Sequence, residues 1–238
     1  MRLAYASFTA FLLSCAPFAL LAGPAGTRVT GKVTLNGPPP KPKAFDLSKE
    51  PACARMRAAD PLFPETVLIG PGNSLRNVVV YISSGAPYPG PVPSSPALFD
   101  QQGCHYTTHV LAFRTGQEVK ISNSDPLSHN IHPLAKVNRE WNKIQPGGTP
   151  PFSYAYENEE FILVKCNIHP WMQGYFAVLR TPYFAVTGDD GSFALPDLPA
   201  GHYTITAWHE SLGTQSQEID VNSRGEPQTV NFTFTARP

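Results

Sequence analysis

The chain has 238 residues, room for one large or two small domains. Its 18 Lys and Arg balance 18 Asp and Glu, and only 15% of residues are charged, against about 25% in an average soluble protein. No Lys/Arg block supplies the basic face that phosphate neutralisation needs, which excludes a nucleic-acid binder, and 26 prolines with 18 glycines argue against long helices and for short strands joined by turns.

Arg2 is the only charge before Arg28, and Leu3 to Leu21 are almost wholly apolar or small, ending in Ala22, Gly23 and Ala25. Residues 1–25 therefore read as an export signal. Two alternatives are a transmembrane anchor, weakened by Pro17 and by the lack of a basic far flank, and lipoprotein processing at Cys15, since Leu12-Leu13-Ser14-Cys15 loosely fits a lipobox. Cleavage near 22–25 leaves 17 basic and 18 acidic residues, three cysteines and no transmembrane helix. The expected location is periplasmic or extracellular, where disulfides persist. Three cysteines divide most simply into one pair and one leftover thiol.

Thr27 to Leu35 alternates with the period of a strand, and Gly37 to Pro42 ends it as an extended connector. A short helix is expected near Pro51, carrying Cys53. Val67–Ile69 and Val78–Ile82 read as strands, and Pro87 to Pro96 as a surface loop. Val110–Phe113, a Gly116 turn and Val119–Ser122 predict a hairpin. Residues 123–132 form a loop containing His129, Asn130 and His132, and residues 133–151 are irregular. Phe152–Tyr156, Phe161–Lys165 and Tyr175–Leu179 read as further strands, and Asp189-Asp190-Gly191 as a tight turn within a separate C-terminal β unit. The chain is predicted to be all-β, with a sandwich architecture.

The segment that carries chemistry is Cys166-Asn167-Ile168-His169-Pro170-Trp171-Met172, a C-x2-H-x2-M pattern at the end of a strand. His129 sits in an earlier loop after another strand. One thiolate, two imidazoles and a weak axial thioether are the donors of a blue-copper electron-transfer site. A ligand loop between two adjacent strands, with one more histidine from a neighbouring loop, lets a rigid β frame fix the geometry, so that changing the copper oxidation state needs little rearrangement. Cys166 as a buried free thiol and His169 as a surface histidine are the plainer readings.

With these residues the sequence resembles the cupredoxins, and its ligand-loop spacing is similar to that of amicyanin. Tyr106 to Asn130, with Thr-Gly-Gln-Glu-Val-Lys-Ile-Ser-Asn leading to His-Asn, is similar to the corresponding region of plastocyanin. The resemblance covers roughly residues 77–180. It implies a Greek-key β-sandwich and one type 1-like copper held by His129, Cys166, His169 and Met172, with Asn130 tying the two ligand loops together by hydrogen bonds. His169 would be the exposed edge through which electrons leave. Trp171, Pro133 and Pro170 offer an apolar docking ring beside it, with simple packing of Trp171 as the alternative. The sequence departs from the family in His132, in the long loop after Pro133, and in Cys104 and His109; His132 and His109 are possible extra ligands. A structural zinc site is the main metal alternative, but it wants four strong ligands, often with a C-x2–4-C spacing that is missing here. Cys53 and Cys104 are expected to form the disulfide, stapling residues 26–76 to the start of the β domain.

Residues 181–238 resemble the carboxypeptidase regulatory-like or transthyretin-like β-sandwich modules, on Asp190-Gly191-Ser192-Phe193 and Leu198 to Ile205. That resemblance implies a fold and no activity. Trp208-His209-Glu210 reads as an inter-domain contact, with a metal or catalytic role as the alternative. No G-x-S-x-G, P-loop or H-E-x-x-H motif is present. The expectation is thus an exported, non-enzymatic copper protein that exchanges single electrons with a redox partner protein. A copper storage or delivery module is the first alternative, and an envelope scaffold or ligand-binding β protein with a structural metal the second.

Overall fold

The computed structural model describes residues 26–86 and 90–236. The expected signal segment, with Cys15, lies outside them. Among the described residues no helix is long and apolar enough to cross a membrane.

The elements are, in chain order, β1 (Val29–Asn36), the short helix α1 (Pro51–Met56), β2 (Val79–Ser84), β3 (Ala97–Gln101), β4 (Val110–Arg114), β5 (Glu118–Asn123), β6 (His129–Pro133), β7 (Lys143–Gln145), β8 (Phe152–Ala155), β9 (Glu160–Lys165), β10 (Gln173–Leu179), β11 (Phe184–Val186), β12 (Ser192–Ala194), β13 (Gly201–His209), β14 (Gly213–Val221), β15 (Gln228–Thr229) and β16 (Phe232–Thr235). Proline opens α1, where its missing N–H costs nothing. The expected strand at Val67–Ile69 reduces to one bridge, Ile69 to Leu75.

Four sheets stack face to face. The first has β1 at its centre, flanked by β12 on one side and by β15 and β16 on the other. The second runs β11-β2-β13-β14, the third β4-β10-β9-β6-β7 and the fourth β3-β5-β8. Period-two alternation fills the three gaps between them. Val80, Ile82, Ile205 and Ala207 of the second sheet meet Val33, Phe232 and Phe234 of the first. The opposite face of the second sheet, with Val79, Tyr81 and Trp208, meets Val110, Ala177 and Leu179 of the third. Phe176, Val178, Ile162 and Val164 on the far side of the third sheet pack on Phe99, Val119 and Ile121 of the fourth. Strands β2 and β10 are covered on both faces, which is why Val78 to Ile82 and Tyr175 to Leu179 read as unbroken apolar runs.

Two expectations about pairing change. Val110–Phe113 and Val119–Ser122 do not form a hairpin: β4 pairs in parallel with β10, whereas β5 pairs with β3 and β8. The Gly116 turn, at φ +75°, is a corner between the third and fourth sheets. It brings Phe113 and Ile121 into one core from opposite sides. The N-terminal strand and residues 79–84 were expected outside the C-terminal unit, yet β1 lies in the sheet of β12, β15 and β16, and β2 pairs with β11 and β13. A stretch of just under sixty residues buries only about 60% of the surface its unfolded chain exposes and is marginal by itself. Here it is completed by two strands from the other end of the chain, and residues 97–179 are inserted between β2 and β11.

Candidate metal centre

Strand β9 ends at Lys165 and β10 begins at Gln173, so Cys166 to Met172 form the connection between two antiparallel neighbours. The loop is closed by its own backbone: Cys166 N–H donates to Met172 O (3.0 Å) and Met172 N–H to His169 O (2.9 Å). His129 is the first residue of β6, which pairs with β9 at the same end. The topology thus brings His129, Cys166 and His169 together. One donor atom from each lies within 4.8 Å of the others, and all three residues are buried. His129 Nδ1 and His169 Nδ1 are 2.9 Å apart, and Cys166 Sγ lies 3.8 Å from His169 Nδ1. Met172 is buried in the same core cluster as Cys166.

Hydrogen bonds outside this group fix what it presents. Backbone N–H groups of His169 (3.3 Å) and Asn130 (3.4 Å) donate to Cys166 Sγ and fix where the sulfur sits. Asn130 Oδ1 accepts from the N–H groups of Asn167 and Ile168, and its Nδ2 donates to Asn142 Oδ1 (2.6 Å), so one side chain spans both loops. Asp125, which the sequence reading missed, is placed against His129: Oδ2 accepts from Nε2 at 2.8 Å. The carboxylate also accepts from Gly103 N (2.6 Å) and Cys104 N (2.8 Å). Burial alone would raise its pKa, but the N–H groups of Cys104 and Gly103, together with the His129 hydrogen bond, hold the carboxyl below the usual range. An ionised Asp125 requires a proton on His129 Nε2, so Nδ1 turns a lone pair toward His169 and Cys166. Burial lowers the pKa of His169, which favours its neutral form. Two imidazole nitrogens and a sulfur facing one another in a buried space are donors that a soft cation satisfies, so the residues fit a copper ion. The Asp-x3-His spacing was the available signal for Asp125, because ligand histidines are commonly backed by a carboxylate.

The other candidates stand apart. His132 lies between Glu140 Oε1 (2.7 Å) and Asn167 Oδ1 (3.2 Å), outside the donor group. Cys104 is near Asp125 and His129, but it is disulfide-bonded to Cys53, leaving Cys166 the free cysteine among the described residues. His169 is not an exposed edge: it is 3% accessible, and its ring lies 5.2 Å from that of Trp171. Pro133 is buried as well, and Trp171 packs with Phe45, Leu47 and Leu62 of the N-terminal segment, donating Nε1–H to Cys104 O (2.9 Å). Of the apolar ring expected around His169, Pro133 is therefore buried, Trp171 is half-buried beneath residues 43–65, and Pro170 stays exposed.

His109 sits where the sheets of the two units meet. Its Nε2 is bonded to Glu210, and its Nδ1 lies 3.7 Å from Glu65, so Trp208-His209-Glu210 makes the inter-unit contact. Burial alone would lower the pKa of His109, but the hydrogen bond and charge of Glu210, with Glu65, raise it. Its stabilising effect is complete below the unfolded value near 6.5 and is lost as pH rises through the folded one. His209 is held down to about 4 by burial and by His109. It removes stability, of order 3 kcal/mol, as pH falls from about 6.5 to about 4. The thermal midpoint of the metal-free protein is expected to fall on both sides of a maximum, and His109→Gln to flatten the alkaline side and, by removing the charge beside His209, to lessen the acid fall. An unchanged alkaline limb in that variant rejects the assignment.

Residues 177–235 match the family model of the carboxypeptidase regulatory-like domain. That stretch contains β11 to β16; β1 and β2, which complete its sheets, lie outside it. No curated protein matches the chain. Among solved structures, a purple cupredoxin from Nitrosopumilus maritimus is 22% identical with a TM-score of 0.31, the likeness covering 35% of this chain and 99% of that one. An amicyanin variant is 22% identical with a TM-score of 0.32, over 42% of this chain and 98% of that one. A copper-containing nitrite reductase from Thermus scotoductus SA-01 is 17% identical with a TM-score of 0.34, over 40% of this chain, and the chain spans only 24% of that enzyme. The all-β chain thus has cupredoxins among its structural neighbours and a carboxypeptidase regulatory-like domain as its matching family model.

Proposed function

We propose that this chain is an exported copper protein that binds one ion through His129 Nδ1, Cys166 Sγ and His169 Nδ1, with the Met172 thioether as weak axial donor, and exchanges single electrons with a partner protein. The observation that carries the reading is the convergence of three buried N, N and S donors, with His129 oriented by Asp125 and Cys166 by the N–H groups of Asn130 and His169. A copper ion there supplies a one-electron couple. Cys166 contributes negative charge and covalency, Asp125 keeps His129 in the required tautomer, and the surrounding core excludes water. Three strong donors and a thioether leave a structural zinc ion short of its fourth strong ligand. Nothing in the donor set provides an open position for a substrate, so we read the protein as a carrier and not a catalyst.

The experiment is an absorption spectrum of copper-loaded protein with metal analysis. One copper per chain and an intense thiolate-to-copper band support the reading; a colourless protein that retains zinc tightly defeats it. Met172→Leu is expected to keep the band and raise the reduction potential, measured by redox titration, since a weak axial donor tunes the couple without holding the ion. Loss of all copper in that variant refutes an axial role. The cover over His169 favours a second reading, a copper store or delivery module. A copper-loaded protein that exchanges no electrons with external carriers yet yields its ion to a chelating acceptor supports that one.

A further inference from the structure

Residues 43–65 belong to none of the four sheets. The segment is a loop closed on itself by Phe45 N–H donating to Leu62 O (2.9 Å), with α1 at its tip. What holds it down converges on three residues. Cys53 is bonded to Cys104, Arg57 Nε–H donates to Gly103 O (2.6 Å), and Arg57 Nη2 contacts His105 Nδ1. Phe45, Leu47 and Leu62 add an apolar cluster with Trp171. The same Gly103 and Cys104 supply the N–H groups that fix Asp125, and through it His129. The cover does not pack tightly on what it hides. A cavity of about 420 Å³ lies between Phe45, Leu62 and Phe63 on one side and Trp171 and Met172 on the other. A second, of about 220 Å³, adjoins it beside Pro170 and Trp171. Away from the cover the loop meets solvent at Ile168, 39% accessible, whereas His169 is 3% accessible.

We propose that the Cys53–Cys104 disulfide is a thiol-redox latch, holding residues 43–65 over the Cys166–Met172 loop, and that reduction by a dithiol opens the loop to solvent and to exchange of whatever it holds. Only the identity of that cargo rests on the copper reading. Both sulfurs are buried, but Cys53 sits on a six-residue helix whose neighbours are exposed (Met56 is 41% accessible). So short a helix frays readily, and fraying presents the Cys53 sulfur. A reductant thiolate attacks it, the S–S bond breaks and Cys104 departs as thiolate. The second reductant thiol then resolves the mixed disulfide, releasing Cys53. Two electrons and two protons enter the protein, and the dithiol leaves as a disulfide. The segment then keeps only noncovalent contacts across a partly empty interface, and its freed chain regains the entropy that closure had removed.

The test uses the full metal-free chain and reads alkylation of Cys166 by iodoacetamide, located by peptide mass mapping. In the oxidised protein labelling is expected to be slow. After treatment with dithiothreitol, or in C53S/C104S, it is expected to be at least about tenfold faster, reflecting a lower free energy of local opening. Equal rates overturn the proposal. Should the double variant lose its near-ultraviolet circular dichroism, Arg57→Ala decides with the disulfide intact. Protection while oxidised and fast labelling once reduced support a covalent latch; fast labelling while oxidised overturns it. Faster Cys166 labelling in a protein that binds no copper leaves the latch standing and defeats the copper reading alone.

Discussion

Replacing Cys166 by Ser is expected to abolish the visible thiolate-to-copper band completely while leaving the fold intact. The hydroxyl is smaller than the thiol but still accepts hydrogen, so the N–H groups of Asn130 and His169 that now point at the sulfur keep a partner. The sulfur is one member of the core cluster that includes Phe176, and exchanging it for oxygen leaves the apolar side chains of that cluster in place. What disappears is the soft, negatively charged donor that sets the site apart from a pair of neighbouring histidines. Absorption and circular dichroism spectra of the copper-treated variant check both halves of the statement. A persisting band removes Cys166 from the ligand set.

The second large effect is expected at Asp125. Its carboxylate accepts three N–H groups at once, from Gly103, Cys104 and His129. Asparagine has the same shape but turns an NH2 group toward at least one of these donors, leaving a buried clash of hydrogens and releasing His129 from its tautomer. Copper affinity in Asp125→Asn is expected to fall about 10- to 100-fold, the usual cost of losing the partner behind a ligand histidine, with the visible band shifted and the overall fold retained. Competition against a chelator of known affinity measures the first and absorption the second. Unchanged affinity and band position show that Asp125 is structural only. Because the same carboxylate reads the position of Cys104, this variant also separates positioning of the ligand from closure of the cover: it leaves the disulfide in place.

Both effects concern one end of the molecule, where loops from three regions of the chain meet. The cover and the fused C-terminal unit surround that end. His109, Glu65 and Glu210 tie the cover, the inserted sandwich and the C-terminal unit at one point. The sheet-on-sheet contact of Val79, Trp208, Ala177 and Leu179 packs the two units directly against each other. The added layers shield the ligand loop from contact and leave Asn167, Ile168 and Pro170 as its outward surface.

Much of this was legible in the sequence. Alternation in residues 27–35, apolar runs at 78–82 and 175–179, and the Gly116 and Gly191 turns marked the strands and their breaks. The C-x2-H-x2-M spacing marked the candidate site because its residues are close along the chain and a single loop must bring them together. The pairing of Cys53 with Cys104 followed from the count of cysteines, once Cys166 had a use for its thiol. What only the tertiary structure decided was who neighbours whom. A period of two says which face of a strand is apolar but not which sheet will cover it. Hence Val110–Phe113 and Val119–Ser122 looked like a hairpin, and β1 and β2 were not seen to complete the C-terminal unit. Burial of His169 and the carboxylate behind His129 were hidden for the same reason: both depend on segments that reach the site from elsewhere in the chain, and such contacts leave no local period to read.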